Sequence, residues 1–384
     1  MNIKDRIKAE GLALGFSFVG FTTPDPPEHY AAYTDWLDAG RHAGMQYLAE
    51  TRSRERRADP KQILPECKTI IVLAAAYPNP LQFPPAQPDV NAAGRIASYA
   101  WTGADYHLVI PPLLEKLMAA VQKILDQPIR YHDYTDTGPI LERDLAQRAG
   151  LGWIGKNTCL ISPHLGSFHF LAEILIDQYI EPDSPFTTDR CGSCTKCIDA
   201  CPTQCILPDR TIDASRCISY LTIENKGAIP APLRTSLDNW VFGCDICQMV
   251  CPWNQKNRDA SSASFFDRPG GPMQVDLKQE IQLSPAEFNH KFRHSAIKRA
   301  KRKGYLRNLA VALGNTRSPA FIDTIAQVLQ TETEPLIRAH LVWALGNIGT
   351  GKAKEILLQL QSSEKDIQVK SEIDRALTEC NSIE

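Results

Sequence analysis

Apolar and polar positions alternate differently along the chain, and regions separate on that basis alone. The opening MNIKDRIKAEGLALGF spaces apolar residues at helical intervals between charges, which predicts an amphipathic helix. TIIVLAAAY (Thr69–Tyr77) is a continuous apolar run of strand length and predicts a buried strand. PPLLEKLMAAVQKIL (Pro111–Leu125) carries helical period with proline at its start, where a missing N–H costs least. PIRYHDYT and FHFLAEILI (Phe168–Ile176) predict two further strands, and Glu142–Ala149 another helix. Helices interleaved with strands predict an α+β protein whose first region, residues 1–184, is a layered α/β domain. YPNPLQFPPAQPDVNAAG interrupts that region as a proline-rich loop.

Residues 185–260 hold most of the cysteines, and 261–294, opening near SSASFFDRPGGP, read as a linker. From residue 295 to 384 the pattern is purely helical. LRNLAVALGNTRSP and IRAHLVWALGNIGT share the frame L-x-x-A-L-G-N, starting at Leu309 and Leu341. That spacing is similar to HEAT-type repeats, which stack helix pairs; a chance pair of amphipathic helices is the plainer reading.

Charge adds little globally. Net charge is -2 at pH 7, so a polyanionic partner would need a local patch. The N-terminus lacks the apolar core of a secretory signal, and no run reaches the eighteen apolar residues of a membrane span. A soluble, cytoplasmic protein with no membrane partner is expected.

Twelve cysteines change the picture, because nine fall between Cys191 and Cys251. Cys191, Cys194, Cys197 and Cys201 read C-x-x-C-x-x-C-x-x-x-C-P, the ferredoxin run for 4Fe–4S ligation. A partial copy, GCDICQMVCPWN, supplies Cys244, Cys247 and Cys251, and Cys217 stands upstream of it. In the two-cluster pattern the fourth cysteine of a run serves the other cluster. One cluster then takes Cys191, Cys194, Cys197 and Cys251, and the other Cys201, Cys217, Cys244 and Cys247. Paired four-cysteine zinc sites are the alternative. Cys205, Cys67, Cys159 and Cys380 are expected to be small packed residues.

YTDTGPILERDLAQRAGLGWIGKNTCLISPHLGSFHFLAEIL (Tyr134–Leu175) is the most distinctive text. Its glycine loop, Gly150, Gly152 and Gly155, admits close backbone approach but fits no nucleotide fingerprint. Read alone, Asp136 caps the following helix. TDTGP, GLGWIGKN, GSFHFLAE, CISYLTIE and GCDICQMVCPWN together resemble the epoxyqueuosine reductase family, over about residues 1–260. The helical tail is similar to the HEAT-like extension of part of that family. Gln204 and Cys205 stand where the family usually has Gly-Ala.

The resemblance implies a cobalamin-dependent enzyme, related to reductive dehalogenases, that reduces epoxyqueuosine to queuosine in tRNA. Residues 1–184 would bind cobalamin, with electrons passed from the cluster of Cys201, Cys217, Cys244 and Cys247. Asp136 occupies the family position of the proton donor, which requires a raised pKa at neutral pH. Cobalamin contacts are expected from Arg57, Tyr99, Thr137, Gly138, Lys156, Asn157, Ser167 and His169, with Gly243 and Asp245 beside the cluster. Arg57 as a surface charge, and His169 as an ordinary strand residue, remain open. Asp105-Tyr106-His107 fails the D-x-H-x-x-G ligand pattern at the glycine, so base-off cobalamin without a histidine ligand is expected.

Phe288–Asn308 holds eight Lys/Arg and no acid. Lys298, Arg299, Lys301, Arg302 and Lys303 are the candidate contacts to tRNA carrying epoxyqueuosine in its anticodon loop, by counterion release; a solvated helix face is the alternative. A low-potential electron donor and a monomer complete the expectation. Two other readings stand beside it: a dehalogenase-like corrinoid enzyme on small molecules, and a non-catalytic electron-transfer or RNA-binding scaffold.

Overall fold

The apolar run beginning at Thr69 becomes an inner strand of a four-stranded antiparallel sheet. A computed structural model describes residues 2–83, 93–257, 266 and 269–381, the last three without side chains. The chain divides into two compact units. One comprises Met1–Pro84, Trp101–Ser215 and Asp245–Gly271; the other comprises Pro85–Ala100, Arg216–Cys244 and Pro272–Glu384.

In the first unit, α1 (Ile3–Ala13) leads into β1 (Phe18–Thr22), which pairs with β2 (Thr69–Ala76). Helix α2 (Tyr106–Leu125) precedes β3 (Tyr131–Tyr134), and α3 (Glu142–Arg148) precedes β4 (His169–Ile176). Sheet order is β1-β2-β4-β3, with every neighbour antiparallel. Strands β2 and β4 have neighbours on both edges, and their residues are accordingly apolar on both faces. Apart from Thr69 and His169 at the strand starts, the exception is Glu173 in β4, fully buried and opposite Val72 and Tyr134. Helix α3 closes one face over Ile70, Val72, Ala74 and Leu175.

The helix expected from Pro111 starts earlier, at Tyr106, because Asp105 caps it by accepting from the His107 N–H at 3.1 Å. Pro111 and Pro112 lie inside it. Residues 84–92 of the expected proline-rich loop, and 261–265, 267 and 268 of the expected linker, lie outside the described residues. The rest of 261–294 is structured and includes the strand Gln274–Asp276 and the helices Leu277–Glu280 and Pro285–Lys291.

In the second unit, Ala93–Ile96 lies between Trp240–Phe242, parallel to it, and Gln274–Asp276, antiparallel. The helices α4 (Lys301–Asn315), α5 (Ile322–Thr331), α6 (Pro335–Ile348), α7 (Gly351–Ser363) and α8 (Ile367–Asn381) follow. The repeated A-L-G-N frame has a packing cause. A Cβ on Gly314 would sit 2.6 Å from the Trp343 ring, and one on Gly346 would sit 2.7 Å from Ala376. Each glycine thus lets the next inner helix cross closely, while Asn347 donates to the Gly314 carbonyl at 2.9 Å. No helix among the described residues is long and apolar enough to cross a membrane.

A buried ion pair ties this unit together: Arg234 Nη1 donates to Glu372 Oε1 at 2.6 Å, with side-chain exposures of 4% and 8%. The guanidinium also donates to the Ile229 carbonyl at 2.9 Å and lies over Trp343. Removing one partner strands a desolvated charge. Glu372→Ala should therefore lower stability by about 3 kcal/mol or more, read as a lower denaturant midpoint for helix loss. Replacing both partners by apolar residues should recover most of it.

Candidate active site and cysteine cavity

Strand β3 ends at Tyr134, and the chain turns into a pocket of about 240 Å³ lined by Tyr77, Tyr106, Asp136, Glu142, His169 and Phe170, among others. Thr135 anchors the turn by donating its hydroxyl to the Leu171 carbonyl at 2.8 Å. Asp136 then adopts φ +59°, in the left-handed region that aspartate tolerates better than most residues. Its N–H donates to Glu142 Oε1 at 2.7 Å. Its Oδ2 accepts from the Tyr106 hydroxyl at 2.9 Å and lies 3.5 Å from His107 Nε2. Gly138 is required next, since a Cβ there would meet the Tyr134 ring at 2.5 Å.

Asp136 does not cap the helix after it. The residue at that cap is Leu141, which offers no side-chain bond. Arg57 is not a surface charge either: it is buried, lies over the Tyr33 ring, and donates to the Gly138 carbonyl at 3.3 Å. It props the Asp136 turn from behind.

Charge in the pocket is unevenly held. The surrounding wall would raise the Asp136 pKa, but its carboxylate is still 64% exposed, and hydrogen bonds from His107 and Tyr106 pull it below the ordinary value. The raised pKa expected for Asp136 is therefore not what its protein surroundings by themselves produce. Burial would lower the His107 pKa, yet its hydrogen bonds to Asp105 and Asp136 win and raise it to about 9. Glu142 is pushed up to about 7 by burial and by the Asp136 charge. Glu173 is pushed well up by burial and by Glu142. Burial alone drives His169 down to about 4, so the ring is neutral, and its buried Nδ1 has no partner among the described residues. Sequence reasoning passed over Tyr106, His107, Glu142 and Glu173 as site residues; the lone acid within the apolar run FHFLAEILI was the available signal.

Cys191, Cys194, Cys197 and Cys251 line one cavity of about 270 Å³, together with Lys156, Asn157 and Trp253. Among the described residues, no three metal-binding side chains meet at the position of a single ion; these four thiols surround a space instead. Trp153 closes one side, 2% exposed, its indole N–H donating to Cys191 Sγ at 3.3 Å. Lys156 donates to the carbonyls of Gly192 and Cys194 at 2.7 and 3.0 Å, bringing positive charge to the thiol loop. Asn157 reaches the Cys247 carbonyl at 3.5 Å. Cys201 lies 3.5 Å from the Cys205 sulfur, whose hydrogen bond is the main cause lowering the Cys201 pKa to about 5. Gln204 takes φ +51°, which suits the glycine more usual there.

Ser167 lines the pocket and donates to Gln248 at 2.9 Å. Thr137 is exposed on the Asp136 turn, and Asp245 is buried at the start of Ile246–Met249. Cys67 is packed in the core, its thiol pushed up to about 11 by burial, whereas Cys159 lines the pocket. Cys380 lies outside the residues whose side chains are described.

In the second unit, Cys217 precedes the helix Ile218–Ile223, and Cys244 follows Gly243, which takes φ +69° beside Ala97. The Tyr99 ring faces Phe242 at 5.9 Å. The basic run is partly neutralised there. Arg299 pairs with Glu224 at 2.7 Å, Arg302 with Glu332 at 2.6 Å and Lys303 with Glu334 at 2.8 Å. Lys298 and Lys301 are exposed. The Lys226 pKa is lowered first by burial, with Arg299, Arg307 and Lys301 adding repulsion that outlines a local basic cluster.

The His107 clamp has a direct test. A folded-state pKa above the ordinary 6.5 means the contribution to stability is full below 6.5 and lost as pH rises through about 9. Imidazole NMR should place the His107 midpoint near that upper value, and Asp105→Asn should return it toward the ordinary histidine range.

Comparison with known proteins gives three family matches. A 4Fe-4S double cluster binding domain spans residues 190–254, an epoxyqueuosine reductase QueG model spans 57–137, and HEAT repeats span 293–378. The epoxyqueuosine reductase of Vibrio cholerae is 39% identical over 346 residues, covering 89% of this chain and 91% of that protein. Its counterpart from Salmonella typhimurium is 37% identical over 369 residues, covering 96% and 94%. A crystal structure of epoxyqueuosine reductase with an epoxyqueuosine-modified tRNA-Tyr stem loop superposes with TM-score 0.90 at 31% identity, covering 99% of this chain and 100% of that one.

Proposed function

The chain belongs to the epoxyqueuosine reductase family, and we propose that it reduces epoxyqueuosine to queuosine in tRNA, with Asp136 as proton donor to the epoxide oxygen. The observation that carries this reading is a carboxylate held in a left-handed turn at the mouth of an aromatic-lined pocket, in a chain that also matches a double 4Fe–4S domain.

Cobalamin is the cofactor this reading requires. The flat rings of Tyr77, Tyr106 and Phe170, and the neutral His169 with its orphaned nitrogen, fit a large planar ligand without opposing charge. Ser167, Thr137 and Gly138 border the same pocket or its turn, and Arg57 supports that turn. When bound, cobalamin supplies a strongly reducing metal centre. Both ring nitrogens of His107 face carboxylates, Nδ1 at 2.8 Å from Asp105 and Nε2 at 3.5 Å from Asp136, so this histidine is engaged and would not serve as a metal ligand. A base-off cofactor without a histidine ligand is the form this reading proposes. One cluster takes the four thiols of the described cavity. The other takes Cys201, Cys217, Cys244 and Cys247 on the crossing pattern of the sequence.

The protein residues do the proton work. An aspartate with a low pKa is a poor acid, so covering its exposed carboxylate with substrate and cofactor is what raises its pKa toward the working range. Tyr106 and His107 meanwhile hold the carboxyl in place. Lys298 and Lys301 meet tRNA phosphates first, and Arg299, Arg302 and Lys303 do so by exchanging their carboxylate partners. A low-potential donor feeds the clusters of a cytoplasmic monomer.

Asp136→Asn should keep its iron and cobalamin spectra and lose turnover on epoxyqueuosine-containing tRNA by about a hundredfold or more; full activity would remove Asp136 from the mechanism. Lys298→Glu with Lys301→Glu should weaken tRNA binding and flatten its salt slope by about one for each phosphate no longer neutralised. An unchanged slope would move the tRNA interface elsewhere.

A further inference from the structure

The overall reaction consumes two protons. Two C–O bonds of the epoxide break, one C=C π bond forms, two electrons enter, and the oxygen leaves as water carrying both protons. Asp136 holds one proton at most, so a second must reach it within the turnover.

Behind Asp136 stand two more carboxyls. Glu142, at the first position of α3, accepts the Asp136 N–H at 2.7 Å and lines the pocket. Glu173, in β4, is fully buried, and no N–H or hydroxyl donor reaches either of its oxygens among the described residues. Its side-chain hydrogen-bond partner is the Glu142 carboxyl, which requires a proton between them. An ionised carboxylate in that position would be desolvated and unsatisfied, at a cost far above that of keeping a proton. The groups facing this pair are few. Asp136, Glu142 and Arg143 act from the turn and α3, and Tyr134 lies opposite Glu173 on β3. On the other edge β2 presents Val72, which carries no charge. Arg143 is partly engaged, donating to the Thr158 carbonyl at 2.7 Å.

We propose that Glu142 and Glu173 are a proton reservoir for Asp136: Glu142 passes a proton to the Asp136 carboxylate after the first protonation of the substrate oxygen. The acid O–H bond of Glu142 breaks, an acid O–H bond forms on Asp136, and the negative charge moves to Glu142. The buried acid of Glu173 then donates a hydrogen bond that stabilises it. Solvent restores the proton between turnovers. Like charge raises the affinity of each carboxyl for the shared proton, and the value near 7 for Glu142 places it where proton transfer is most efficient. The pair charges below that pH and empties as pH rises through it.

This inference rests on the proposed reduction of epoxyqueuosine, and its test separates the two. Glu142→Gln keeps an amide oxygen to accept the Asp136 N–H but cannot carry the proton. In the reconstituted chain at saturating tRNA, wild-type turnover should fall as pH rises through about 7. Glu142→Gln should be slower by roughly tenfold to a hundredfold, with KM unchanged and that fall gone from its pH profile. Infrared spectra of the chain alone should show a buried protonated carboxyl near neutral pH, lost in Glu173→Gln. Wild-type rate and profile in Glu142→Gln, or no protonated carboxyl in the native chain, would overturn the reservoir. Absence of any wild-type reduction, with the carboxyl band present, would instead count against the substrate assignment while the buried acid stands.

Discussion

The turn at Asp136 is the constraint around which the first unit's pocket is arranged. Its left-handed backbone costs on the order of 1 kcal/mol for a residue other than glycine, and several interactions offset that. The Thr135 hydroxyl holds the strand end, Glu142 accepts the turn's N–H, Arg57 grips the Gly138 carbonyl, and Tyr106 and His107 take the carboxylate. They come from the end of β3, from α3, from the helix Thr51–Ala58 and, for Tyr106 and His107, from α2. A rigid sheet behind a strained loop is how a carboxyl is aimed without being buried.

Electrostatics in that layer follow from geometry. Asp136 is low because two donors reach it, Glu142 is high because it lies beside Asp136 out of water, and Glu173 is high because it is buried beside Glu142. Three carboxyls in one neighbourhood thus settle into different protonation states, the separation by which acid and base roles divide at a single pH. His107, its pKa raised to about 9 by the two carboxylates, supplies a compensating positive charge that touches Asp136 directly.

Around the cysteine cavity the same logic runs with the opposite sign. Four thiols gather there, and the chain sets the Trp153 N–H on Cys191 and the Lys156 ammonium against the loop carbonyls. Hydrogen bonds to cluster sulfurs are among the terms that set reduction potential. Lys156 and Asn157, expected from the family resemblance beside the corrinoid, line this cavity. The double-cluster match over residues 190–254 agrees with the cysteine spacing that pointed to it.

Much of this was legible in the residues. Strand runs at Thr69 and Phe168, the C-x-x-C spacings and the repeated A-L-G-N frame announce themselves because each is a local periodicity that chemistry imposes on neighbouring positions. Asp136 stood out only through the family motif around it, since a lone aspartate after a strand carries no local signature. What the sequence could not display was anything made by residues distant along the chain. That Arg57 is buried beneath the Asp136 turn, or that Glu173 faces Glu142 across a helix and a strand, depends on sheet order and register. So does the first unit itself, assembled from three separate stretches. Spacing along a chain reports ligands and repeats, because they are counted in residues. Proton affinity is decided by burial and by charges a few ångströms away, and only the folded chain brings those together.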